Sequence, residues 1–188
     1  FIWRKDIVAV SGQAFGFVRG IYERSDVDVR GKEGLSPTTG LLWGEEPPEM
    51  IQLRDKYVDI RKGHKTGDYL DQQENWRILF DLLASDYDGE GRMLNLFSYT
   101  GGFAVAAMAA KGIHIVNVDS SGEALALAEK NAQLHPDYAS EGMTQEFVQG
   151  DVFEYLHAAV KRGATYDVVA LGRPTLRHHR PRPAEVRP

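Results

Sequence analysis

Apolar runs and amphipathic helical patterns alternate through the second half of the chain. Four apolar runs indicate β-strands, and helical patterns separate them. The predicted strands are Met93–Phe97, Ile113–Val118, Glu146–Val148 and Tyr166–Leu171. Strands that alternate with helices in this way imply a parallel, doubly wound sheet. The right-handed crossover rule then predicts that the first and last of these strands lie side by side and parallel.

The first 70 residues carry shorter apolar runs, which turns separate. Candidate strands are Ile7–Val10, Phe17–Tyr22 and Leu41–Trp43, and a hairpin is predicted from Met50–Leu53 and Tyr57–Ile60. Residues 72–85 then predict an amphipathic helix, whose apolar face is Trp76, Leu79, Phe80 and Leu83. The pattern therefore predicts a small α+β domain at 1–70, followed by an α/β domain at 71–171.

The most informative motif lies where the strand at 93–97 meets the following helix. The strand ends at Phe97, the turn reads Ser98, Tyr99, Thr100, Gly101 and Gly102, and an alanine-rich helical pattern follows. Glycines let the backbone approach a ligand closely, and a helix start offers unpaired N–H groups. The turn lacks the G-x-G-x-x-G spacing that cradles a pyrophosphate. These features favour S-adenosylmethionine, which has a ribose and an adenine but no phosphate.

Two carboxylates follow successive strands of the predicted sheet. Asp119, followed by Ser120, ends the strand after the glycine turn, where a carboxylate suits a ribose diol. Asp151, followed by Val152, comes after the next strand, where it can accept from the adenine amino group. Each could instead be the N-cap of the helix that follows it. Their joint placement at neighbouring strand ends favours the cofactor interpretation.

Composition narrows the possible functions. The chain has 188 residues, 43% of them hydrophobic, which suffices for one α/β domain and a smaller piece. It contains no cysteine, which excludes disulfides, thiolate metal sites and a cysteine nucleophile within these residues. The net charge of −5 gives no electrostatic indication of nucleic-acid binding, and the scattered histidines predict no metal site. No membrane span or secretory signal is visible, so a cytoplasmic location is expected.

Both ends of the chain differ from an ordinary domain. Phe1 is not a methionine, and we expect the chain to be a segment of a longer protein. Residues 173–188 contain five Arg and four Pro, a composition that is not expected to pack into the sheet. We assign residues 172–188 to a separate C-terminal segment. Two explanations of its composition stay open: a basic disordered tail, or translation in another reading frame after about Leu171.

Two long motifs, at Gly63–Gln72 and Leu94–Phe103, make the chain similar to a specific enzyme family. It resembles the class I S-adenosylmethionine-dependent methyltransferases that modify cytosine C5 in large-subunit ribosomal RNA. Shorter matching segments are Ile21–Asp26, Lys32–Gly34, Leu42–Glu45, Asn117–Ser121 and Gly150–Phe153. The resemblance covers nearly all of residues 1–171.

The resemblance implies a domain order and a set of roles. In that family an RNA-binding PUA domain precedes a small middle domain and a Rossmann-like catalytic domain, here incomplete. The segment Phe97–Gly102 would hold the methionine part of S-adenosylmethionine, Asp119 the ribose and Asp151 the adenine. The residues that would lie over the pocket are Tyr69, Asp71 and Gln72, although a hairpin edge leading into a helix explains them equally well. Ribosomal RNA is the implied partner, and a homodimer or non-specific self-association stays open.

The sequence departs from the family pattern after the strand at 166–171. The family carries Asp-Pro-Pro there, lining the target-base pocket, whereas this chain has Gly172-Arg173-Pro174. Nothing corresponds to the catalytic cysteine, whose thiolate cytosine-C5 methylation needs. We therefore predict no catalytic residue within the chain. Two alternatives stay open: a methyltransferase with another target, such as an amine, and a non-catalytic binding module.

Overall fold

The described residues of the first unit, Phe1–Leu70, form two antiparallel strand pairs and two helices. The computed structural model describes residues 3–26, 29–63, 67–86, 91–108, 110, 113–138 and 142–172. In chain order the elements of this unit are α1 (Arg4–Ala14), β1 (Gly20–Ser25), α2 (Val29–Lys32), β2 (Thr38–Gly44), β3 (Met50–Leu53) and β4 (Lys56–Asp59). Strand β1 pairs with β2, and β3 pairs with β4.

The hairpin prediction is confirmed in β3 and β4. Ile51 lies opposite Val58, which is fully buried, and the connecting turn places Arg54 in the left-handed region at φ 56°. The predicted strand at Leu41–Trp43 lies within β2. The strand predicted at Phe17–Tyr22 is only partly correct, because β1 begins at Gly20.

The strand predicted at Ile7–Val10 is wrong, because these residues lie within helix α1. The partly buried positions of this helix are Arg4, Val8, Ser11 and Gly12, which recur at helical rather than alternating spacing. A Cβ added at Gly12 would lie 2.9 Å from the Trp43 ring, so the helix packs closely on β2. A run of four apolar residues carries no period, and packing decides its conformation.

In the second unit, Asp71–Pro188, the described residues form a four-stranded parallel sheet. A 3₁₀ helix at Leu70–Gln72 leads into α3 (Gln73–Asp86), and the chain continues through β5 (Gly91–Leu96), α4 (Gly102–Ala107), β6 (Ile113–Asp119), α5 (Gly122–Gln133), β7 (Thr144–Gln149), α6 (Val152–Lys161) and β8 (Val168–Leu171). The strand order is β7-β6-β5-β8. The predicted parallel pairing of the first and last strands is confirmed, with Met93 opposite Val168 and Leu96 opposite Leu171. The unit has the predicted Rossmann-like α/β fold.

Alternate residues of the strands pack into two cores, one on each face of the sheet. Met93 and Ile115 join residues of α3, α4 and α5 on one face, whereas Leu94 and Val116 join residues of α6 on the other. Because both faces are covered, the strands read as continuous apolar runs. The predicted apolar face of α3 is correct at Leu83 but wrong at Phe80, which is 46% exposed.

Some sequence predictions fall outside these elements. Residues 173–188, which hold the predicted arginine- and proline-rich tail, lie outside the described residues. Within the described segments, no helix combines the length and apolar character needed to cross a membrane.

Candidate functional site

The strand order creates a switch point between β5 and β8. Strands β6 and β7 follow β5 towards one side of the sheet, and β8 returns to the other side. In open α/β sheets, ligands bind beyond the carboxyl ends of the strands at such a reversal. The turn at Phe97–Gly102 follows β5 directly and therefore lies at this position.

The turn has an unusual backbone conformation. Phe97, Tyr99 and Gly101 all have left-handed φ angles, 52°, 49° and 82° respectively. The Ser98 amide donates to the Val118 carbonyl at 3.1 Å, which ties the turn to β6. Non-glycine residues in this region are uncommon and cost roughly 1–3 kcal/mol each, and such strain clusters at ligand sites.

Asp119 links the turns that follow β5 and β6. Its Oδ2 accepts from the Tyr99 amide at 2.8 Å, and its Oδ1 accepts from the Ser121 amide at 2.9 Å. The N-cap of α5 is Ser121, whose hydroxyl accepts from the Ala124 amide, so the alternative that Asp119 caps this helix is wrong. A carboxylate offers about four acceptor positions, so each oxygen keeps capacity for a ligand hydroxyl.

Asp151 is the N-cap of α6, as one of the two interpretations of its sequence proposed. Its Oδ1 accepts from the amides of Phe153 at 2.8 Å and Glu154 at 3.0 Å. The neighbouring Gly150 amide donates to the Asp119 carbonyl at 2.9 Å, so the turns after β6 and β7 are also joined. The Asp151 side chain is exposed, and its Oδ2 makes neither of these capping bonds.

The two glycines of the turn are required by their neighbours. A Cβ at Gly101 would lie 3.0 Å from the Ala128 Cβ of α5, and a Cβ at Gly102 would lie 2.5 Å from the Trp76 ring of α3. The turn is therefore enclosed between α3 and α5, and no side chain caps α4. This close packing explains the glycine pair, which the sequence assigned to ligand approach alone.

The other predicted site residues differ in their surroundings. Asp71 and Gln72 lie in the 3₁₀ helix before α3, where the Gln72 side chain accepts from Asn75 at 2.8 Å. Ser120 follows Asp119 and its carbonyl accepts from Gln149 at 3.3 Å. Val152 is 3% exposed and its side chain lies in the core on the α6 face of the sheet, so we consider only its backbone as a ligand contact.

Tyr69 belongs to the first unit, next to a buried ion pair. Lys56 Nζ lies 2.8 Å from Asp68 Oδ1, and their side chains are only 8% and 5% exposed. Burial lowers the pKa of the Lys56 ammonium despite this partner. The pair connects β4 to the segment that leads into Tyr69.

Gly172 is a residue at this edge that sequence analysis did not assign. Its amide donates to the Leu96 carbonyl at 2.8 Å, and an added Cβ would lie 2.4 Å from the Phe97 carbonyl oxygen. A glycine directly after a predicted strand was the available signal for such a close approach. Within the described ranges, no group of three or more acidic or histidine side chains could hold a metal ion.

Comparison with known proteins assigns a family to this arrangement. Residues 48–180 match the profile of the family described as S-adenosylmethionine-dependent methyltransferase. Proteins named ribosomal RNA large subunit methyltransferase I from Aeromonas salmonicida strain A449 and Escherichia coli O139:H28 are each 43% identical over 158 residues. These alignments cover 82% of this chain but 38% of each relative, so the chain spans less than half the length of the curated relatives it matches.

Solved structures resemble the chain over most of its length. A candidate SAM-dependent methyltransferase from Streptococcus mutans superposes with a TM-score of 0.72 at 27% identity, covering 91% of this chain and 42% of its own. A second methyltransferase structure, described as a complex with SAH, has a TM-score of 0.71 and the same identity and coverage. A methyltransferase from Agrobacterium tumefaciens, at 20% identity and a TM-score of 0.60, shares the fold, covering 84% of this chain and 47% of its own.

Proposed function

The chain belongs to the family of S-adenosylmethionine-dependent methyltransferases, and we propose on this premise that the carboxyl edge of its parallel sheet binds the cofactor. When bound, S-adenosylmethionine supplies an electrophilic methyl group. In our proposal, Phe97–Gly102 holds the methionine part, Asp119 and Ser120 hold the ribose, and Asp151 with the Val152 backbone holds the adenine. Asp71 and Gln72 complete the proposed set within the second unit.

The residues present suit this ligand. The Ser98 hydroxyl is buried and has no hydrogen-bond partner within the described part of the chain, so a ligand polar group could satisfy it. Asp119 keeps acceptor capacity for two ribose hydroxyls beside its two amide bonds. The exposed Asp151 can accept from an amino group through Oδ2 while Oδ1 caps α6.

The observation that carries the proposal is the bridge from Asp119 to Tyr99. A single carboxylate joins the strained turn after β5, which borders the switch point, to the end of β6. This bond holds the proposed methionine and ribose segments in a fixed relation before any ligand arrives. Preorganisation of this kind lowers the ordering cost of binding.

Calorimetric titration with S-adenosylmethionine tests the cofactor site. Asp119→Ala should weaken binding by about 1–3 kcal/mol, because ligand hydroxyls lose their acceptor in a partly buried position. Asp167→Ala is a matched control, since Asp167 accepts from the Arg92 amide at the start of β5, the opposite end of the strand. Equal affinities for wild type and Asp119→Ala would remove the ribose assignment.

We further propose that the substrate is large-subunit ribosomal RNA, modified at cytosine C5. The names of the relatives at 43% identity support the RNA class, and the family resemblance supports the base. The same proposal includes a PUA domain and a location in the cytoplasm, where ribosomes work. The chain contains no cysteine, so these residues supply cofactor binding rather than the thiolate.

Labelled methyl transfer tests this division of roles. The 188-residue chain should bind S-adenosylmethionine and ribosomal RNA but transfer no label to cytosine. The measurement uses tritiated cofactor with purified large-subunit RNA, with small-subunit RNA as the specificity control. Formation of 5-methylcytosine by this chain would refute the assignment, and equal binding of both RNAs would refute the proposed substrate.

A further inference from the structure

Two buried asparagines and one partly buried glutamine form a row of amide side chains across the sheet just before its carboxyl edge. Asn95 of β5 donates through Nδ2 to Oδ1 of Asn117 in β6 at 2.9 Å. Asn117 donates to Gln145 Oε1 of β7 at 3.2 Å and to the Glu146 carbonyl at 3.3 Å. Both asparagines are 0% exposed, and they face each other in the strand register. This amide row therefore joins three neighbouring strands within the core.

The amide row is costly for stability. Asn95 Oδ1 and Gln145 Nε2 are buried and have no hydrogen-bond partner among the described residues. Leaving a buried polar atom without a partner costs free energy, whereas replacing both members of a buried pair with apolar groups of similar shape is often neutral or stabilising. Apolar residues at these positions would match the surrounding core, so stability alone does not account for the amides.

The amide row lies directly below the bridge that joins the two turns. Asn117 precedes Asp119 by two residues, and Asn95 precedes the left-handed Phe97 by two residues. A slip of one residue between β5 and β6 would move Asp119 by about 3.3 Å relative to Tyr99, enough to break their bond. Apolar side chains tolerate small shifts, whereas a buried amide pair is satisfied in one register only.

From this placement we infer that Asn95, Asn117 and Gln145 are positioning residues for cofactor binding. They act through Asp119 and Tyr99, whose 2.8 Å bond depends on the alignment of β5 with β6. The inference rests on the proposed cofactor site. It adds residues that make no proposed contact with S-adenosylmethionine and lie in the sheet rather than in its loops.

The double variant Asn95→Leu/Asn117→Leu separates positioning from stability. It removes the buried pair together and leaves only the partly exposed Gln145 side chain and the Glu146 carbonyl without their Asn117 donor, so its melting temperature should stay close to that of the wild type. Its affinity for S-adenosylmethionine should nevertheless fall about 5- to 30-fold, a loss of one to two kcal/mol. Hydrogen exchange at the Tyr99 amide should be faster by a similar factor. If the amides had only a structural role, a double variant as stable as the wild type would also bind S-adenosylmethionine and exchange the Tyr99 amide as the wild type does.

Ile115→Ala is the matched control, since Ile115 is fully buried on β6 two residues before Asn117. It should lower the melting temperature through a cavity and leave cofactor affinity and Tyr99 exchange close to wild type, measured well below the transition. Cofactor affinity that changes in step with melting temperature in both variants would overturn the inference.

If the double variant does not fold, Gln145→Leu tests the inference instead, because it removes only the partly exposed end of the amide row. Faster Tyr99 exchange with weaker binding in Gln145→Leu supports positioning, and wild-type values overturn it.

The Asp119→Ala titration distinguishes the cofactor site from the positioning role of the amide row. Weak binding by Asp119→Ala together with wild-type binding by the double leucine variant would overturn the positioning role and leave the cofactor site standing. Wild-type binding by Asp119→Ala would overturn the cofactor site itself. Weak binding by both variants, with the double variant still stable, supports both proposals.

Discussion

Single residues at the end of β5 carry a backbone strain that neighbouring groups maintain. Phe97 and Tyr99 both have left-handed φ angles without being glycine, and the Asp119 carboxylate holds the Tyr99 amide. Such conformations persist only where the surroundings impose them. Of the three left-handed residues in this turn, the sequence indicated the conformation of Gly101 alone, because glycine adopts positive φ without steric cost.

The contact between Gly102 and the Trp76 ring leads to the first prediction. Gly102→Ala should destabilise the chain by about 1–3 kcal/mol, because the added methyl would overlap the indole in a packed region. Chemical denaturation measures the change in free energy of unfolding. Gly150→Ala is the control, since a Cβ there meets no atom within 4 Å. Equal losses of unfolding free energy in Gly102→Ala and Gly150→Ala would contradict the packing of α3 on α4.

A tyrosine pair at the other end of the unit predicts a loss of stability at high pH. The Tyr155 and Tyr166 hydroxyls lie 2.8 Å apart, and burial, followed by this hydrogen bond, raises the pKa of Tyr155 to about 12. The folded state favours the neutral phenol of Tyr155. The stability that this group contributes is therefore complete below the ordinary tyrosine pKa of about 10, and it declines as pH rises towards 12.

Thermal melts between pH 9 and 12 test this, with Tyr155→Phe for comparison. The wild type should lose stability more steeply than Tyr155→Phe across pH 10 to 12. Parallel pH profiles for the two proteins would exclude Tyr155 as the source of the loss.

At the scale of secondary-structure elements, the Asp119 and Asp151 carboxylates have different structural roles. Asp151 begins α6 as its N-cap, whereas Ser121 begins α5 and Asp119 joins two turns. The sequence offered both interpretations for each carboxylate, because a strand end and a helix start coincide in a βα unit. Only the positions of the neighbouring amides separated them.

Two substitutions at Asp151 separate its capping role from its proposed adenine contact. Asp151→Ala should reduce the free energy of unfolding by about 0.5–2 kcal/mol, while Asp151→Ser should keep most of the stability, because serine is also a good N-cap. Both should weaken S-adenosylmethionine binding, since both remove the second carboxylate oxygen. Calorimetry and thermal melts on the same samples measure both effects. Wild-type affinity in a stable Asp151→Ser would refute the adenine assignment.

At the scale of the whole molecule, β8 exposes apolar side chains at the edge of the described sheet. Val169 is 58% exposed and Leu171 is 64% exposed, and β5 is the one described strand that pairs with β8. An apolar edge with unpaired N–H and C=O groups is a template for association with another chain. We therefore expect the 188-residue chain to self-associate and to have low stability.

Val169→Lys should reduce this self-association, because a charge on an edge strand disfavours pairing with a second edge. Sedimentation velocity at several concentrations gives the fraction of oligomer. Val160→Lys is the control, since Val160 is 77% exposed but lies on α6, away from any strand edge. If both variants associate as the wild type does, or the wild type is a stable monomer, the edge is not the cause.

Sequence alone determined the parallel sheet, its four strands and the hairpin at residues 50–60. These follow from the period and length of apolar runs, which report burial whatever the neighbours are. It also singled out the glycine turn and both aspartates, since glycine and carboxylate chemistry is visible in the residue type.

Only the tertiary structure decided which partners those groups have. Helix α1 replaced the expected strand because its contact with β2 outweighed a short β-branched run. The bridge from Asp119 to Tyr99 and the buried amides of Asn95 and Asn117 join residues about 20 positions apart in the chain. Such long-range hydrogen bonds leave no periodic signal, because their geometry exists only after the strands are in register.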